Sequence, residues 1–379
     1  MKFYCATLLI AFHVVAATAA EYWVYFGTYT SSASKGIYAA RFDSATGKLS
    51  APELVAETRN PSFLAMHPTG KFLYAVGEVD NTQGQRAGAV NAYELDAKTG
   101  ALTVLNQQIS GGTGPCHIAV DATGKSVLVA NYGSGSIAAL PVQADGSLGA
   151  ATTTIQHAGS SVNPKRQAGP HAHFITPSPD NRFALACDLG LDKVLVYQLD
   201  PANAKLTTNN PPHAVVLHGS GPRHLAFHPN GRFAYVINEM ALTITIFSYD
   251  AQQGALFEEQ NVSTVPAGYV ITEKDSTAEI AVHPNGKFVY GSNRGHNSIA
   301  VFSVDAKTGK LALIQNESTQ GKTPRHFVID PSGRWLFAEN QGSDSVGGFA
   351  IDVATGKLQS TGQTVAVGSP VCAVFVKAQ

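Results

Sequence analysis

Cysteine is nearly absent from this chain, with 4 in 379 residues, and no two stand in a C-x-x-C pair. That scarcity argues against a disulfide framework or a cysteine-rich zinc site. Charge is also sparse: 26 Lys and Arg against 27 Asp and Glu leave a formal charge of −1, with no basic stretch to follow a phosphate backbone. Nucleic acid is a poor fit as a partner. No G-x-S-x-G elbow occurs, so a serine nucleophile has no support. No sustained helical period runs through the body of the chain, and beyond the N-terminus no apolar run approaches a membrane span.

Residues 1–20 (M-K-F-Y-C-A-T-L-L-I-A-F-H-V-V-A-A-T-A-A) combine one positive charge, an apolar centre and small residues at the end. This is the pattern of a secretory signal peptide, and it predicts a secreted or periplasmic protein whose mature domain is 21–379. Cys5 would leave with it. The remaining Cys116, Cys187 and Cys372 allow at most one internal disulfide.

What the chain does have is a repeat. A turn of the form D-x-x-T-G-K-L, with variations, ends at Leu49, Leu102, Leu148, Leu206, Leu256, Leu311 and Leu358. Self-similarity at roughly 50 residues marks an array of like units. Each turn follows alternating apolar residues, as in S-I-A-V-F-S-V-D ending at Asp305, and a second repeated stretch such as G-P-R-H-L-A-F-H-P-N-G-R-F-A-Y-V-I supplies two more strands joined by an Asn-Gly turn. About four antiparallel strands per unit is the size of a propeller blade. The predicted fold is all-β, a seven-bladed β-propeller. The first unit lacks an inner strand, and the chain ends with an orphan one, S-P-V-C-A-V-F-V, so the C-terminus is expected to complete blade one and close the ring.

Aligned on their motifs, the inner strands place Phe63, His117, His173, His224, Glu279, His326 and Cys372 in one ring, with Arg223 and Arg325 one residue earlier and His171 two before His173. A second ring, at the end of the next strand, holds Thr28, Glu78, Tyr132, Leu189, Glu239, Arg294 and Gln341. The start of one antiparallel strand lies beside the end of its neighbour, so both rings are expected at one mouth of the channel. Charges there are costly unless paired or solvated, which makes a polar pocket the better reading. His67, His228 and His283 lie in H-P-x-G turns where Asp121 and Asp330 stand in other repeats, so turn hydrogen bonds account for them.

The G-P-R-H of 221–224, N-E of 238–239, N-R-G of 293–295, T-P-R-H-F of 323–327 and the opening Y-F-G-T-Y-T resemble the seven-bladed lactonase family. That family includes propeller-type 6-phosphogluconolactonases and fungal carboxy-muconate cycloisomerases. The resemblance implies a small-molecule lactone as substrate, no cofactor, and an active-site set of one His, two Arg and one Glu. By motif these fall on His171 or His173, Arg223, Glu239 and Arg294. An exported relative would act on a lactone other than an intracellular sugar phosphate.

The residues suit a cyclic ester in their own right. Histidine can deprotonate water near neutral pH, and arginine can grip a carboxylate or phosphate and stabilise an oxyanion. The expected assignment is His173 as general base, with His171 as rival, and Arg223 and Arg294 on the substrate anion and oxyanion. Glu239 would orient base or water or act as their acid/base partner, while Glu78, His117, His224, Glu279, Arg325 and His326 shape the binding pocket. A metal centre is the chemical rival, but arginines beside the histidines oppose a cation, so no metal is assigned. Two further readings are a lactonising cycloisomerase and a non-catalytic propeller that binds a ligand or protein at its mouth.

Overall fold

The computed structural model describes residues 21–30 and 33–379, so the signal peptide expected over 1–20 lies outside the described residues. Among them there is no α-helix, only two 3₁₀ turns, and seven antiparallel sheets form one ring. Blade four is representative: Ala172–Pro177 innermost, then Phe183–Asp188, Lys193–Asp200 and Lys205–Val215. The predicted closure is present. Pro370–Lys377 pairs with Glu21–Thr28 from Tyr22↔Lys377 to Thr28↔Pro370, and an apolar cluster that includes Phe42, Phe337 and Val346 joins blade seven to blade one.

Every seam between neighbouring blades carries such a cluster, and the middle strands are apolar on both faces: in blade three Val127 and Val129 pack toward blade two while Leu128 and Ala130 pack toward blade four. The repeated turn glycine has a matching cause. Gly47, Gly146 and Gly309 have φ of 74°, 84° and 72°, and a Cβ on them would collide with Trp335, Phe72 and Phe233 of the preceding blade. The turn thus supplies both a left-handed residue and a flat seat for a neighbour's aromatic ring. In blade four the left-handed position is Ala204, and blade three carries Ser126 where the other blades present an aromatic.

The chain visits two faces. One carries the hairpins, such as 67–71 and 121–125. The other carries the connections that lead into each inner strand and away from the second strand. On that face 78–88, 157–171 and 264–275 are longer than their counterparts in other blades.

Candidate active site

Six of the seven inner strands, all but that of blade two, begin with a β-bulge. Pro115 pairs with Asn131 but His117 with Ala130; Pro222 with Asn238 but His224 with Ile237; Pro324 with Asn340 but His326 with Glu339. The extra residues are Cys116, Arg223 and Arg325, and in blade four the same bulge, between Ala172 and Phe174, leaves out His173. The expected ring therefore needs one correction: Phe174, not His173, is the counterpart of His117, His224 and His326. The error has a physical source. The ring is counted back from the left-handed turn glycine, as from Gly124 to His117, Gly231 to His224 and Gly333 to His326, and in blade four that turn position is Asn181, so no glycine marks the count. In the second ring Tyr29 replaces Thr28 by the same pairing criterion. Tyr29 N donates to Ser369 O as Tyr132 N does to Gly114 O and Glu239 N to Gly221 O.

Two layers result. The inner one fills the channel: the Phe63 ring centroid lies 4.2 Å from His117, 5.7 Å from His224 and 5.7 Å from His326, and Phe174 lies 4.1 Å from His117. These side chains come from separate blades, so they converge on the axis as expected. They form a packed plug rather than an open pocket. His224 Nδ1 lies 3.0 Å from Glu279, which also faces His326 Nε2 at 3.5 Å, and His326 Nδ1 meets Glu339 at 2.8 Å. Burial drives His117 well below its usual range and His224 to about 4. Burial also opposes charge on His326, but Glu279 and Glu339 outweigh it and raise its pKa.

The outer layer encloses a cavity of about 370 Å³, lined by Glu78, Cys116, Tyr132, Arg166, His173, Glu239, Ser276, Arg294 and Arg325. Its centre of charge is Glu239, which meets Arg166 at 2.6 Å, Arg294 at 3.0 Å and Arg223 at 3.2 Å. Burial favours the protonated acid, yet Arg294, Arg223 and Arg166 overcome it and hold the carboxyl at about 2. Arg223 is only 2% exposed and lies beneath the cavity, donating to Ala278 O at 2.6 Å; burial and its arginine neighbours bring it down to about 10. Across the mouth, Arg325 donates to the Tyr29 hydroxyl at 2.9 Å, which in turn donates to Glu78 at 2.8 Å; Ser62 donates to the same carboxylate oxygen. Four arginines against two carboxylates give the mouth a net positive charge suited to an anion or a developing oxyanion.

The two candidate histidines have different settings. His173 lines the cavity, with Nδ1 3.8 Å from Cys116 Sγ, and burial together with Arg223, His224 and Arg325 holds it neutral, well below its usual pKa. His171 is half-buried, stacks on Tyr132 with centroids 4.5 Å apart, and lies 3.0 Å from Tyr132 O through Nδ1. A carbonyl only accepts, so Nδ1 carries a proton.

The structure thus brings His173, Glu239, Arg294, Glu78 and Arg325 to one cavity, sets Arg223 beneath it and His171 beside it, and seats His117, His224, Glu279 and His326 in the plug. Arg166 was not found from the sequence because no repeat aligns the connection 157–171. That connection's length and its single arginine were the available signals. Glu339 stands where other second strands carry an apolar or small residue. The three described cysteines are free and buried, and among the described residues no three His, Cys, Asp or Glu side chains group as metal ligands.

The profile of the family described as "Lactonase, 7-bladed beta-propeller" matches residues 23–375. A 6-phosphogluconolactonase of Bacillus subtilis is 38% identical over 356 residues, spanning 94% of this chain and 99% of the relative. Another, from Formosa agariphila, is 33% identical over 78% of this chain and 82% of its own length. The solved structure of the Pseudomonas aeruginosa periplasmic gluconolactonase PpgL superposes with a TM-score of 0.89 at 35% identity, covering 95% of this chain and 100% of that one. With the fold, the ring closure and a match across residues 23–375 in agreement, this protein belongs to the seven-bladed β-propeller lactonases.

Proposed function

We propose that this protein is a lactone hydrolase that opens a sugar-derived or carboxylated lactone at the Arg-rich mouth of its channel. The observation that carries the reading is the cavity itself: a neutral imidazole, His173, shares one polar pocket with the guanidinium groups of Arg166, Arg294 and Arg325. Water attacks the lactone carbonyl while His173 takes its proton. The carbonyl electrons move onto oxygen, where Arg294 and Arg325 stabilise the negative charge. When the ring C–O bond breaks, the proton passes to the departing alkoxide, leaving a hydroxy acid. Glu239, held ionised by three arginines, is the anchor that arrays them and not a proton donor.

Residues 1–20, read as a secretory signal, support an exported enzyme, and one close structural relative is described as periplasmic. Proton release measured with gluconolactone, its 6-phosphate and muconolactones tests the activity. The expected result is turnover of at least one of these, falling on the order of a hundredfold in Arg294→Ala. Failure to hydrolyse any of the panel, or full activity in that variant, overturns the reading.

A further inference from the structure

Blade four departs from its siblings at two buried positions that touch each other. The second-strand residue that pairs with the start of the third strand is Asn131, Asn238, Asn293 and Asn340 in blades three, five, six and seven, but Asp188 in blade four. Three of those asparagines donate Nδ2 to the carbonyl of the residue that follows the preceding blade's outer strand: Asn131 to Ser110, Asn293 to Thr264 and Asn340 to Thr319, at 3.1, 2.9 and 3.1 Å. In blade four that residue is His157. Its Nδ1 lies 2.6 Å from Asp188 Oδ2, and its Nε2 lies 2.9 Å from the Tyr197 hydroxyl, with both ionisable side chains essentially sealed from solvent.

The second carboxylate oxygen does what the asparagines do not. Asp188 Oδ1 accepts from His171 N at 2.8 Å and from Gly190 N at 3.0 Å. The residues that match His171 in other blades, Gly114, Gly221 and Thr323, are left-handed, with φ of 57°, 66° and 57°. His171 is not among the left-handed residues. One residue further on, Ala172 pairs directly with Asp188, and the bulge at His173 follows. A carboxylate with three N–H donors around it is satisfied in the interior, where an unpaired one would be costly.

We propose that Asp188 and His157 are positioning residues that fix the His171–His173 segment and so aim its imidazoles at the cavity. This rests on the lactonase reading for its catalytic consequence and on geometry alone for the clamp. Asp188 is held at both of its carboxylate oxygens. His157 donates from Nδ1, and Tyr197 holds its far side. Neither Asp188 nor His157 lines the cavity.

The test is the double variant H157T/D188N, which installs the pair that blade six uses at Thr264 and Asn293. Hydrogen exchange at the His171 amide, thermal melting, and kcat and KM on the best lactone are measured together. The expected result is a folded protein in which that amide exchanges at least tenfold faster, with kcat roughly ten- to a hundredfold lower and KM little changed, as loss of orientation gives. Unchanged amide exchange overturns the clamp, and faster exchange with full kcat overturns its catalytic role. If the wild type hydrolyses no lactone, the activity reading fails separately and the exchange rate still decides the clamp. Should the double variant not fold, H157Q and H157L replace it: glutamine keeps a donor toward Asp188 and leucine does not, so equal His171 exchange in the two overturns the proposal.

Discussion

The two faces of the ring are built from the same seven units and have diverged in opposite ways. On the hairpin face the units still resemble one another. His67, His228 and His283 each send Nε2 to a glycine carbonyl of the next blade, at Gly124, Gly286 and Gly333, and Asp121 and Asp330 cap the same turns elsewhere. On the mouth face the units differ. Arg166 and Arg294 have no like residue in another blade, and the remaining mouth residues recur in only two: Glu78 and Glu239, Tyr29 and Tyr132, Arg223 and Arg325. Repetition preserves what the ring needs to close, while residues absent from most blades form the site.

The sharpest way to break the contrast is Glu239→Gln. It removes the counter-charge of Arg223 and Arg294, whose side chains are 3% and 13% exposed, and of the more exposed Arg166. Leaving buried arginines uncompensated costs about 3–5 kcal/mol. Activity should fall on the order of a thousandfold as the arginines lose their array. Denaturant melts and lactone turnover check this, and a stable, active variant would mean that Glu239 is dispensable to the mouth.

How much of this was legible in the sequence follows the same division. Blade number and ring closure could be read because each turn must meet a backbone requirement, such as the left-handed glycine beneath a neighbour's aromatic ring. Arg223, Glu239, Arg294 and Arg325 could be found by counting along those repeats. The count slipped at His173 because blade four's turn carries Asn181 where its siblings carry a glycine, and at Thr28 because blade one takes its inner strand from the far end of the chain. Arg166 stayed hidden because its connection has no counterpart to align. That the two expected rings form separate layers, a packed plug beneath a cavity, could not be read either. A bulge is a pairing between strands, and the spacing within one strand does not reveal it.

A smaller effect sharpens the assignment of the base. Burial comes first, followed by Arg223, His224 and Arg325, in pushing the His173 pKa well below 6.5. A base acts in its neutral form, so kcat/KM should be flat across neutrality and fall only well below pH 6.5. Replacing Arg325 by methionine removes one repelling charge, raising the His173 pKa and moving the acid limb toward higher pH, with roughly a hundredfold loss of rate from the missing oxyanion contact. A pH–rate profile of both proteins measures the shift. An unmoved limb in a folded, weakly active variant would exclude His173 as the titrating base and favour His171.

The smallest expected effect lies on the hairpin face. His283 is 3% exposed; its Nε2 donates to Gly333 O at 2.7 Å and its Nδ1 accepts from Asn285 N at 3.1 Å. Replacing it by alanine deletes a strut between blades six and seven and leaves the turn uncapped, a loss of about 2 kcal/mol for two buried hydrogen bonds. Replacement by aspartate should cost less. Asp330, at the same position one blade on, accepts from Ser332 N, Arg334 N and Trp335 N and holds an equivalent turn without an imidazole. Both variants should keep wild-type kcat and KM while their melting temperatures fall in the order alanine below aspartate below wild type. A change in kcat from either would mean that the two faces are coupled through the plug, where the Glu279 inner strand runs from the mouth down to His283.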